Sequence, residues 1–190
     1  MGVKLRRGFK AEAEAYACDL RRELGLRSSQ PLDMFLLASH LEVPVVSLRD
    51  LEQDLQPGIY KHLTITASGE FSALTLTNGC VRWIIYNNAH APTRQQSDLA
   101  HELAHIILGH SLTELTEESG GRHYNKELED EAACLSGVLL LPRAAAISVV
   151  ASGKSVEQAA SEFNISVKMM TMRLNQSGAK TIMSRSNLYR

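Results

Sequence analysis

The chain has 190 residues, 44% of them hydrophobic, and a formal net charge of -1 at pH 7. That length and composition suit one compact domain with a small helical appendage, and the near-zero charge excludes a general electrostatic pull toward nucleic acid or an anionic membrane. Three scattered cysteines, Cys18, Cys80 and Cys134, are odd in number and lack CxxC spacing, so they read as reduced thiols of a cytoplasmic protein rather than a disulfide frame.

The opening MGVKLRRGFKAEAEAYA has basic residues but no apolar segment behind them, which is not the pattern of a secretory signal. Arg6 stands where a myristoylation motif needs Ser or Thr. Apolar runs such as Val138 to Leu141 are far too short to span a bilayer, so no membrane association is expected. Lys10 to Leu24 carries Ala13, Ala17, Leu20 and Leu24 at helical spacing, with Gly25 as its stop. Pro31 opens a second predicted helix with Leu32, Phe35, Leu36 and Leu41 on its buried side. Both helices read as scaffold.

The pattern then turns to β. Ile59 to Thr66, Phe71 to Thr77 and Val81 to Tyr86 read as three strands, joined at Ser68-Gly69 and Asn78-Gly79. Such close turns predict an antiparallel meander. Its edge could hold an extended peptide by β-addition, or the sheet could simply cover the core.

Thr93 to His110, TRQQSDLAHELAHIILGH, contains His101-Glu102-x-x-His105. Thr93 and Gln96 have the spacing of a capping box, and Gly109 offers a left-handed stop. Two His four residues apart leave one helical face about a turn apart, so both imidazoles can reach one metal ion with Glu102 beside the water it holds. Leu99, Leu103, Ile106 and Ile107 gather on the opposite side, toward the core. The spacing points to a zinc hydrolase with His101 and His105 as ligands and Glu102 as general base; the competing reading is a buried helix whose His bond backbone carbonyls. His110, beyond Gly109, is a further ligand on paper, but a His there more ordinarily faces solvent or stands behind a ligand.

A two-His site needs a third protein ligand. The source is the predicted helix Asn125 to Leu141, whose buried face is Leu128, Ala132, Leu135 and Leu139. Measured from Leu128, Glu131 falls at about -60°, while Glu127, Glu129 and Asp130 lie about 100° or more away. Glu131 is thus the carboxylate nearest the core and the expected third ligand; otherwise it meets an Arg or Lys, or reaches solvent. Ser111 to Tyr124, between the two helices, reads as a polar loop at the cleft rim. His123, Tyr124, Tyr86 and His90 are candidates for steadying an oxyanion.

After Pro142 a third helix runs to about Val150. Ser155 to Gln176 resembles helix-turn-helix spacing, with Ala159 in the first helix and Ile165-Ser166 at the turn. Lys168, Arg173, Lys180, Arg185 and Arg190 give this end a local positive excess, yet such a helix pair more often packs or meets a partner than binds DNA. The predicted layout is a main domain over 8–150, a small helical segment over 151–180 and a tail over 181–190.

HELAH, followed about two dozen residues later by EDEAACLSGVLLLP, resembles the ImmA/IrrE family of metallo-endopeptidases, and YNNAHAPTRQQSDLAHE also fits. Ala133, Leu135 and Ser97 depart from the residues this family commonly has there, without removing a ligand or the base. The resemblance implies an α+β, mostly helical zincin-like domain with a small sheet, an initial helix pair followed by a short strand like Val43 to Ser47, and a helix-turn-helix-like end. It also implies metal ligands His101, His105 and Glu131 with Glu102 as base, and cleavage of a regulatory protein, a helix-turn-helix repressor, to relieve repression; zinc is the expected cofactor, and a two-His, one-carboxylate site accepts manganese as well. Rival readings are a repressor- or DNA-binding regulator with a structural metal site, or a toxin-antitoxin partner.

Overall fold

In the computed structural model, residues 5–78, 81–110 and 125–187 are described. Helix α1, Phe9–Glu23, buries Phe9, Ala13, Ala17 and Leu20 along one stripe and ends before Gly25, whose φ of 71° few other residues would tolerate. Helix α2, Met34–His40, starts three residues after Pro31, because Asp33 supplies the cap and accepts from the N–H groups of Phe35 and Leu36. That start rotates the buried face onto Met34, Leu37 and Ala38 and leaves Leu36 half exposed, a correction to the expected stripe.

Among the described residues the sheet has three strands, as expected, but it is mixed rather than antiparallel. Strand β1, Val45–Ser47, runs parallel to β3, Val81–Tyr86, and β2, Ala73–Asn78, runs antiparallel to β3 on its other side. Ile84 occupies the middle of the central strand, is fully buried, and lies opposite Val45 and Thr75. Gly79 of the expected Asn78-Gly79 turn and Cys80 lie outside the described residues, as do residues 111–124, the expected rim loop, with His123 and Tyr124.

Ile59 to Thr66 is not a strand. Gly58, at φ 87°, starts a single helical turn α3, Ile59–Lys61, which continues as a π turn over His62–Thr66. The β-branched residues there have no core to alternate against: Ile65 is 70% exposed and no residue of the turn is buried. Local strand propensity loses where the chain offers no buried face. Buried Asn87 fastens the segment, its amide donating to the carbonyls of Leu63 and Phe71 at 2.9 and 3.0 Å.

Helix α4, Pro92–Ile107, lies against α2 and the sheet, with Leu99, Ala100, Leu103 and Ala104 fully buried. Its start is not the expected capping box. Pro92 takes the first turn, Thr93 makes no cap, and Gln96 is buried with Oε1 accepting the Met34 N–H at 2.8 Å, so it satisfies an end of α2 instead.

Helix α5, Lys126–Leu140, is capped by the Asn125 side chain and packs against both α4 and α1. Ala132, Leu135 and Leu139 are fully buried. Its C-terminal carbonyls are satisfied by arginines brought in from elsewhere. Arg21, at 0% exposure, donates to the Leu139 carbonyl at 2.7 Å, and its burial pulls the guanidinium down to about 10.

Helix α6, Arg143–Ser152, is followed by α7, Val156–Glu162, and α8, Val167–Gln176, with Asn164 at φ 49° in the turn between the latter two. Helix α9, Ala179–Asn187, returns to pack on α6. Ala159, Phe163, Ile165, Met170 and Leu174 share the core cluster with the metal-helix residues. Arg173, counted toward the local positive excess of this end, is buried, donating to the Leu141 carbonyl at 3.0 Å and pairing with Glu14 at 3.2 Å. Gly137 leaves room for that approach, since a Cβ there would stand 3.1 Å from Arg173 Cδ, a tight contact. No single helix among the described residues is long and apolar enough to cross a membrane.

Candidate metal centre

The site is assembled by α4, α5 and β2. The i, i+4 spacing on α4 brings His101 Nε2 and His105 Nε2 to 3.2 Å from each other, with the rings edge to face. Glu129 of α5 places Oε2 3.1 Å from His101 Nε2 and 3.7 Å from His105 Nε2. The three donors form one cluster.

A divalent ion fits this set. Zinc bonds of about 2.0–2.1 Å in a tetrahedron put neighbouring donors about 3.3 Å apart, close to the three separations observed. Two imidazoles and one carboxylate are also the ordinary donors of a catalytic zinc, which keeps a further position for water or substrate.

Glu131, the expected third ligand, is not in this cluster. Its Oε1 accepts from Arg6 Nε at 2.9 Å, and its Oε2 lies 3.8 Å from His110 Nε2. The carboxylate at the His pair is Glu129. Helix α5 has a neighbour on each side, α4 and α1, and a helical wheel finds the buried arc without saying which neighbour lies at which edge. Glu129 and Glu131 are 15% and 16% exposed, so burial does not separate them either. The signal a sequence could offer was the presence of two flanking carboxylates, not their assignment.

Glu102 stands where the motif puts it, adjacent to His101 and 4% exposed. Its Oε2 accepts from the Thr75 backbone N–H at 3.0 Å and from Thr75 Oγ1 at 2.6 Å. Strand β2 therefore holds the carboxylate in one orientation. Thr75 gave no sign in the sequence, because only the packing of β2 on α4 brings it there.

His110 is folded back under the helix end. The chain reverses at Gly109, φ 69°, with the His110 N–H donating to the His105 carbonyl at 3.0 Å and the Gly109 N–H to Ile106 at 3.1 Å. The turn sets His110 Nδ1 2.9 Å from His105 Nδ1, with both rings buried.

Of the described oxyanion candidates, His90 is buried with Nε2 2.7 Å from the Ser68 carbonyl and Nδ1 3.3 Å from Asp98. Burial pushes the Asp98 carboxyl up from its ordinary range, against the opposing pull of its hydrogen bond with His90 and the charge of Arg94. Tyr86 packs edge-on against Phe35, and burial raises its phenol. Both have structural partners.

No curated protein matches the sequence. The model of peptidase family M78, described as the IrrE N-terminal-like domain, matches residues 38–175, a span that contains the sheet, α4, α5, α7 and all but the last residue of α8. With a His-His-Glu cluster and a buried motif glutamate beside it, the chain belongs to this metallopeptidase family.

Proposed function

We propose that this protein is a zinc-dependent endopeptidase in which His101, His105 and Glu129 hold the ion and Glu102 is the general base. The observation that carries the reading is the meeting of three donor atoms at 3.1–3.7 Å beside Glu102. When bound, the ion supplies Lewis acidity toward the scissile carbonyl and lowers the pKa of a water toward about 7. Glu102 takes the proton of the attacking water and passes it to the leaving amine. Thr75 clamps Oε2 of that carboxylate, so Glu102 spends little freedom in reaching its working orientation. His101 and His105 are themselves carried on a helix whose other face is locked in the core, which fixes the positions from which their rings reach out.

The substrate we propose is a regulatory protein, a helix-turn-helix transcriptional repressor, whose cleavage relieves repression. Family resemblance alone supports that choice. The test is to incubate the purified protein, with zinc and with a chelator, against the repressor encoded next to it. A defined fragment that forms with zinc and disappears with chelator is expected; an intact repressor under both conditions, beside a protein that cleaves other polypeptides, would overturn the substrate assignment. A protein that holds zinc and cleaves nothing would favour a regulator with a structural metal.

A further inference from the structure

The imidazole of His105 has two nitrogens, and both are engaged. Nε2 faces His101 and Glu129, while Nδ1 lies 2.9 Å from Nδ1 of His110. Two nitrogens at that distance share one proton: two bare lone pairs would repel, and so would two N–H groups. Because a metal-binding Nε2 must be bare, a neutral His105 carries its proton on Nδ1 and donates it toward His110. His110 then accepts through Nδ1 and carries its own proton on Nε2, which lies 3.8 Å from Glu131 Oε2. Glu131 in turn accepts from Arg6 at 2.9 Å.

We infer that His110 is a positioning residue for His105: it fixes the ring's orientation and tautomer so that Nε2 is presented bare to the metal, with Glu131 and Arg6 placed behind it. This inference rests on the metal-centre reading above and adds a function for the His that follows Gly109. Metal-binding histidines ordinarily give their second N–H to a carboxylate, a carbonyl or water. Here that acceptor is another imidazole, delivered by the left-handed turn at Gly109. The carboxylate stands one step further out. Burial adds to the effect, since His105 and His110 are 2% and 7% exposed and a hydrogen bond in a low-dielectric setting is stronger.

Two measurements on the full chain test it. In the zinc-loaded wild type labelled with 15N at histidine, long-range proton–nitrogen correlations should show His105 protonated at Nδ1 and His110 protonated at Nε2. A His110 protonated at Nδ1 and bare at Nε2 would overturn the inference without involving any variant. Zinc affinity, measured by competition against a chelating dye, should fall about 10–100-fold in His110→Leu and recover in His110→Asn, whose amide oxygen can stand near the place of Nδ1. Equal affinity in wild type and His110→Leu would overturn the proposal. A folded Leu variant is recognised by circular dichroism of the metal-free protein, and if it is not folded the nitrogen spectrum still decides. Wild type that binds no zinc would instead overturn the metal centre itself, and Glu129→Gln serves as the control that separates the two failures.

Discussion

The two flanks of α5 carry the same chemical group and put it to opposite uses. Glu129 turns toward α4 and meets two imidazoles; Glu131, two residues on, turns toward the start of the chain and meets Arg6. Their exposures are nearly equal. What differs is the partner each finds. The contrast shows that burial of a carboxylate says it must be paired, while only the neighbouring helix says with what.

The sharpest way to break this comparison is to neutralise each flank in turn. Glu129→Gln removes the anionic donor, so metal content after dialysis should fall by about two orders of magnitude or more in affinity, beyond what loss of a group behind a ligand costs. Retention of zinc at wild-type affinity in that variant would return the ligand assignment to Glu131. Glu102→Gln should leave metal content intact and lower kcat by roughly 10²–10⁴, read from the rate of substrate cleavage at saturation. Wild-type turnover would remove Glu102 as the base.

Thr75→Val keeps the shape of the side chain and deletes one of two bonds to Glu102. A fall of about tenfold in kcat with little change in KM is expected, with Thr75→Ser restoring most of it. A change in KM alone would mean that Thr75 contacts substrate rather than orienting the base. The smallest effect belongs to the other flank of α5: Glu131→Gln should change zinc affinity by less than about tenfold, because it acts on the metal only through His110 and His105. A full loss of metal there would put Glu131 back among the ligands.

Much of the architecture could be read from periodicity. Phe9, Ala13, Ala17 and Leu20 announce α1, and Leu99 and Leu103 set the back of the metal helix. The two His and Glu102 needed no tertiary information, since helical geometry alone puts residues four apart on one face. The strand assigned to Ile59–Thr66 failed for an identifiable reason. Its β-branched residues suit a sheet, but Ile65 lies in solvent, and the third place in the sheet went to Val45–Ser47 in parallel pairing with β3. Thr93 and Gln96 had the letters of a capping box, yet Gln96 was drawn into the core by the Met34 N–H.

The C-terminal helices make the same point with charge. Arg173 counted toward a positive tail in the sequence, but in the fold it spans to Leu141 and Glu14 and no longer offers its charge to a partner. Burial lowers its guanidinium from the usual range, opposed by the attraction of Glu14.

The sequence by itself determined the helical face that carries both His, the motif glutamate beside it, and the helix that brings a carboxylate to meet them. These follow from contacts within one turn of one helix, which the covalent chain dictates. Tertiary structure alone decided that Glu129 rather than Glu131 meets the His pair, that Thr75 holds Glu102, and that His110 stands behind His105. Each of those depends on the rotation and approach of separate elements, set by how the faces of α1, α4, α5 and β2 fill one shared core.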